Sequence, residues 1–86
     1  MNPESARDAT QAEIDEESRR ARRLRIVVNL TLDVISQGQL PYDEAIELVA
    51  AARRVALQLF PEKGATYDLI YAPKFARLMS EMYRIQ

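Results

Sequence analysis

The fold depends on the segment RLRIVVNLTLDVISQG, residues 23–38. Its apolar residues fit two different periodicities, one of a strand and one of a helix. Taken two at a time, Ile26, Val28 and Leu30 alternate with Val27 and Asn29, as in a half-buried β-strand. Taken at 3.6 residues per turn, the same segment is a helix that is apolar around most of its circumference. The spacing of the polar residues distinguishes the two interpretations.

The polar residues of this segment favour the helix, because they are spaced four, four and three positions apart, as neighbours on one helical face are. They are Arg25, Asn29, Asp33 and Ser36. Neither Gly nor Pro occurs from residue 4 to residue 37, so no breaker separates the segment from the charged sequence before it. Gly38 suits the position that closes a helix. The β-branched residues argue for a strand, but burial overrides such propensities, and we predict a helix over 13–37.

Breaker residues divide the rest of the chain into two further helices. Pro41 suits a first helical position and Pro61 a stop, which predicts a second helix over 41–60. Thr66 can cap a third helix over 66–84, which Pro73 kinks or splits. The predicted fold is all-α: a small three-helix bundle with a long first helix, an antiparallel helical hairpin and a third helix broken near Pro73.

Composition narrows the class of protein. The chain has 86 residues, of which 48% are hydrophobic and 29% charged, and this suits one globular domain over 13–86 after a disordered polar segment over 1–12. It has neither Cys nor His, so disulfides, thiolate metal sites and histidine catalysis are excluded. No motif marks a catalytic residue, metal site or cofactor, and we expect a non-enzymatic protein. Without a signal or membrane-spanning segment, the expected location is the cytoplasm.

The first helix predicts an interface. Between residues 26 and 35 it is apolar over more of its circumference than two neighbouring helices can cover, and such surplus usually marks a binding surface. We therefore predict a homodimer or a constitutive protein partner. The candidate interface residues come from the first helix and from a C-terminal apolar stripe: Leu24, Val27, Val28, Leu32, Ile35, Tyr71, Phe75, Met79 and Met82. In the alternative interpretation, the C-terminal stripe is part of the ordinary core.

The arginine run RRARRLR, residues 19–25, predicts a second kind of partner. Its candidate phosphate-binding residues are Arg19, Arg20, Arg22, Arg23 and Arg25. In the alternative interpretation the run is a solvated face, since Asp15–Arg19 and Glu16–Arg20 are pairs one helical turn apart. A formal net charge of −1 gives no general attraction to nucleic acid. Nucleic-acid binding is therefore the less favoured function.

Two further features have structural interpretations. The stretch QGQLPYDEAIELV resembles a helix–turn–helix joint, but acidic residues begin its second helix and favour a packing hairpin instead of a DNA reader. Asp33 and Arg53 are both charged residues in apolar surroundings, which predicts a buried ion pair between the first two helices. Arg25 is the alternative partner for Asp33.

Overall fold

The computed structural model describes residues 3–84 of the chain, with side-chain surroundings from Thr10 onward. These residues form four helices and no strand: α1 (Pro3–Ser36), α2 (Tyr42–Leu59), α3 (Gly64–Ile70) and α4 (Ala72–Met82). The fold is therefore all-α, as the sequence predicts, and residues 23–36 are helical.

A glycine just after the end of α1 reverses the chain. Gly38 has a φ of 71°, in the left-handed region, and its N–H donates to the carbonyl oxygen of Ile35 at 3.1 Å. Glycine adopts this conformation without the steric cost that a Cβ brings, so it is the favoured residue after a helix. Residues 37–41 then connect α1 to α2. Pro41 stands just before α2, and Asp43 and Glu44 lie in its first turn.

α1 begins at Pro3, well before the predicted start at residue 13. Residues 3–12 are thus helical where the sequence predicts disorder, and Met1 and Asn2 lie outside the described residues. The physical reason is that no breaker interrupts the helix, while side chains one turn apart support it, as in the 3.0 Å hydrogen bond from Gln11 to Asp15. All side chains from residue 10 to 19 are exposed. Glu17 still contacts the domain through an ion pair with Lys63 at 3.9 Å, whereas the part of α1 before it extends past the packed helices. The longest dimension of the molecule is 66 Å.

The α1–α2 hairpin is covered on one side by the other two helices. α4 packs against α1 and α3, and α3 packs against α2. The core at their junction contains Val28, Ala52, Ala56, Tyr67 and Phe75. Alanines on α2 allow the neighbouring helices to approach closely. The other side of the hairpin has no helix packed on it within the described chain.

The predicted third helix is split in two near Pro73. α3 ends at Ile70, Tyr71 separates the two helices, and Pro73 stands at the start of α4, where its missing N–H breaks no helical hydrogen bond. The expected cap at Thr66 is wrong, since α3 begins at Gly64, and Lys63 precedes it without a side-chain cap. No helix in the described part of the chain is long and apolar enough to cross a membrane.

Candidate functional site: the open face of the hairpin

An exposed apolar surface lies on the side of the α1–α2 hairpin that α3 and α4 leave uncovered, and we call it the open face. Ile26 and Leu30 lie one turn apart on α1 and are 57% and 61% exposed. Beside them runs a groove lined by residues of both helices and by none of α3 or α4: Arg23, Ile26, Val27, Val55, Gln58 and Leu59. Large aliphatic side chains so exposed in the middle of a long helix are available to a partner.

A second groove lies toward the beginning of α2. It is lined by Leu40, Asp43, Glu44, Glu47, Leu48, Ala51 and Arg54. Leu48 and Ala51 are half-buried, whereas the three carboxylates are exposed. The groove therefore combines an apolar floor with a margin of three carboxylates and the exposed guanidinium of Arg54.

Several of the predicted interface residues belong to the domain's own core. Val28, Ile35 and Phe75 are at most 2% exposed, so their assignment to an interface is wrong. The reason is that α4 packs on this side of α1 and buries the stripe that the sequence left without a known neighbour. Five others, Leu24, Val27, Leu32, Tyr71 and Met79, are half-buried, and Met82 is exposed. Ile26 and Leu30 lie on the apolar circumference of the predicted helix but are not among the predicted interface residues.

The arginine run is divided among different contacts. Arg19 forms an ion pair with Glu16 at 3.4 Å instead of with Asp15, and both members are exposed. The guanidinium of Arg20 lies over the ring of Phe60, with its Cζ 5.5 Å from the ring centroid, so the expected pair with Glu16 does not form. The other three members, Arg22, Arg23 and Arg25, are exposed and make no ion pair within the described part of the chain.

Arg53 has a different partner from the one predicted. Its Nε and Nη2 donate to the two carboxylate oxygens of Asp68 at 2.9 and 3.0 Å, whereas Asp33 is exposed and makes no ion pair among the described residues. Arg25, the alternative partner, makes none either. The predicted buried pair is thus wrong in its partner and in its burial, since Arg53 and Asp68 are both about half exposed. α3 packs along the flank of α2 and supplies the carboxylate.

The hydrogen bonds of this pair shift the pKa of both groups. They lower the pKa of the Asp68 carboxyl below its ordinary value and raise the pKa of Arg53. Charged partners in bidentate geometry favour each other's ionised form. The pair therefore fastens α3 to α2 at the surface of the domain.

A separate apolar cleft of about 360 Å³ lies between α2 and α4. Ile46, Val49 and Met79 contribute to its walls, and the Arg53–Asp68 pair lies at its margin. Tyr67 also lines the cleft, and its hydroxyl is buried without a hydrogen-bond partner among the described residues. Burial raises the pKa of this phenol, because the charged form would lose its hydration. Among the described residues that line the cleft there is no Ser, Cys or His, and its titratable groups are Arg53, Asp68, Tyr42 and Tyr67.

The described residues also lack the ligand sets that metal ions require. Within residues whose surroundings are described, no group of three or more His, Cys, Asp or Glu side chains is arranged to hold a metal ion. Comparison of the chain with protein-family models, with curated proteins and with solved structures gives no match. The open face and its charges are therefore the features of the described chain that bear on its function.

Proposed function

We propose that this protein is a non-enzymatic protein–protein interaction module that self-associates through the open face. The observation that carries the proposal is the exposure of Ile26 and Leu30 at the centre of a helical hairpin whose other side is already packed. Fully burying a completely exposed side chain of this size contributes about 1.5–3 kcal/mol, and more than half of each of these two is still exposed. Half-buried Val27, Val55 and Leu59 extend the apolar area beside them.

The open face is also close in size to the contact area of a specific complex. It follows the 18 residues of α2, which span roughly 27 Å at 1.5 Å per residue, and it is two helices wide, roughly 20 Å. The flat projection is on the order of 500 Å², and the accessible area of a ridged surface exceeds its projection. The size approaches the roughly 800 Å² that each partner buries in a stable complex.

Analytical ultracentrifugation over a range of protein concentrations tests this proposal. We expect the wild-type mass to rise to twice that of the chain, and Leu30→Glu to remain a monomer because a charge then lies in the apolar contact. The matched control is Leu69→Glu on α3, where the side chain is 77% exposed but lies off the open face. This control should associate like the wild type. A wild-type protein that stays monomeric at every concentration contradicts self-association.

A second candidate function, nucleic-acid binding, is favoured by the three exposed arginines that make no ion pair. If Arg22, Arg23 and Arg25 contact phosphates, affinity for duplex DNA falls steeply as salt rises, because binding releases counterions. Substituting all three by Gln should then reduce both the affinity and its dependence on salt. Binding that is absent at low salt, or unchanged by the substitutions, rules this candidate out.

A further inference from the structure

We propose that two copies of the chain pair antiparallel across a two-fold axis at the open face, so that the arginine end of each meets the carboxylate end of the other. The inference rests on the proposed self-association, and it specifies the partner, the orientation and the charged contacts. Here the arginine end means Arg19 and Arg23 on α1, and the carboxylate end means Glu44 and Glu47 on α2.

The charges of the open face are separated along its length. Arg23 borders the groove that contains Ile26, at the end of the hairpin where α2 finishes. Glu44 and Glu47 border the groove at the end where α2 begins. These three residues are exposed and make no ion pair within the described chain. Arg54 is also exposed, lines the groove with Glu44 and Glu47, and lies three residues past Ala51 toward the arginine end. The face is therefore positive toward one end and negative toward the other, with apolar side chains between the charges.

The two ends are equally far from the middle. Arg23 precedes Leu30 by seven residues, and Glu44 precedes Ala51 by seven residues. Because α1 and α2 run in opposite directions, these intervals correspond to about 10 Å on opposite sides of a midpoint between Leu30 and Ala51. A two-fold axis through that midpoint exchanges the two ends. A surface that is complementary to its own rotated copy is what a two-fold homodimer requires.

The charges also select one orientation. A two-fold axis that lies in the plane of the contact and runs perpendicular to the helices sets the arginine end of one copy near the carboxylate end of the other. An axis parallel to the helices instead sets the two arginine ends together, and like charges in contact are disfavoured. In the antiparallel arrangement the exposed parts of both α1 helices, residues 10–19, project from opposite ends of the pair. They do not obstruct the contact.

Charge reversal measured by sedimentation equilibrium tests the pairing. Each dimer would contain two Arg23–Glu44 contacts, so either Arg23→Glu or Glu44→Arg should weaken dimerisation about tenfold. The double variant restores attraction with the signs exchanged, and its dissociation constant should return to within about threefold of the wild-type value. Arg77→Glu and Glu81→Arg on α4 are matched reversals away from the open face, and they should leave dimerisation unchanged.

Cross-linking tests the orientation directly, because the chain contains no cysteine. A mixture of Arg23→Cys and Glu44→Cys proteins, treated with a short bis-maleimide, should give a covalent heterodimer. Arg23→Cys protein alone should give almost none, since the two-fold axis places its two cysteines at opposite ends. Efficient cross-linking of Arg23→Cys with itself would show the parallel arrangement and overturn the proposal.

The outcomes separate this inference from the proposed function. A dimer that dissociates with Leu30→Glu but is not restored by the double charge reversal refutes the antiparallel pairing and leaves self-association standing. A wild-type monomer refutes both. Restoration by the double variant together with the mixed cross-link supports the pairing.

Discussion

The rotation of α1 about its own axis buries Ile35 and exposes Leu30, so substitutions at these two residues should affect the free energy of unfolding very differently. Ile35 is fully buried and Leu30 is 61% exposed, although the strand interpretation of the same sequence would place Leu30 inward and Ile35 outward. Ile35→Val removes one buried methylene and should lower the free energy of unfolding by about 1 kcal/mol. Ile35→Ala should lower it by about 3 kcal/mol, because the lost burial and the remaining cavity both contribute. Leu30→Ala should change it by less than about 0.5 kcal/mol.

Urea denaturation followed by far-ultraviolet circular dichroism measures these differences. The midpoint shift multiplied by the slope gives the change in free energy, and in thermal melts each 1 kcal/mol corresponds to roughly 4–8 °C for a domain of this size. The lowest workable protein concentration is used, because association stabilises the folded chain by mass action. Ile35→Val keeps the protein folded if Ile35→Ala does not. A larger loss for Leu30→Ala than for Ile35→Val would refute the orientation of α1.

Three further predictions follow from the remaining contacts. Tyr67→Phe should raise the free energy of unfolding by about 1 kcal/mol in urea denaturation, because it removes a buried hydroxyl that has no hydrogen-bond partner in the described part of the chain; a loss of stability would mean that the hydroxyl is hydrogen-bonded. Because the hydrogen bond from Arg53 lowers the pKa of Asp68, that carboxylate stabilises the fold above its ordinary pKa of 3.8, and the contribution is lost as the pH falls through the lower folded value. Asp68→Asn should therefore reduce the loss of melting temperature on acidification while Asp33→Asn does not, and equal pH profiles for both variants would contradict this. Deleting residues 1–12 should leave the melting temperature nearly unchanged in calorimetry, since the side chains described there, from Thr10 on, are exposed; a large drop would show that this segment packs on the domain.

Much of the helical architecture is predictable from local sequence. The polar spacing of Asn29 and Asp33 predicts the helix, Gly38 predicts its end, and Pro73 predicts the division of the last helix. Each of these signals acts within a few residues, through side-chain spacing or backbone dihedral preference. The start of α1 was predicted too late, because Pro3 suits a first helical position and nothing between it and residue 13 breaks the helix.

The candidate site was predictable in kind but not in its residues. The excess apolar surface on α1 follows from the apolar residues of that segment. Their spacing along one helix does not show which part of the surface α4 covers. Ile35 and Leu30 are equally apolar in sequence, and only packing separates them. The Arg53–Asp68 pair was missed for a similar reason, since its members are 15 residues apart on different helices. The location of charged Arg53 in apolar surroundings predicted an ionic partner but did not identify it.

The sequence alone determined that residues 26–35 form a helix, that a hairpin follows and that His and Cys chemistry is absent, because these depend on periodicity, turn residues and composition. Tertiary structure decided which side of the hairpin α3 and α4 cover, which apolar residues stay exposed and which carboxylate meets Arg53. Those outcomes depend on contacts between residues far apart in the chain. Their energies come from burial and pairing across helices, which the spacing within one helix does not specify.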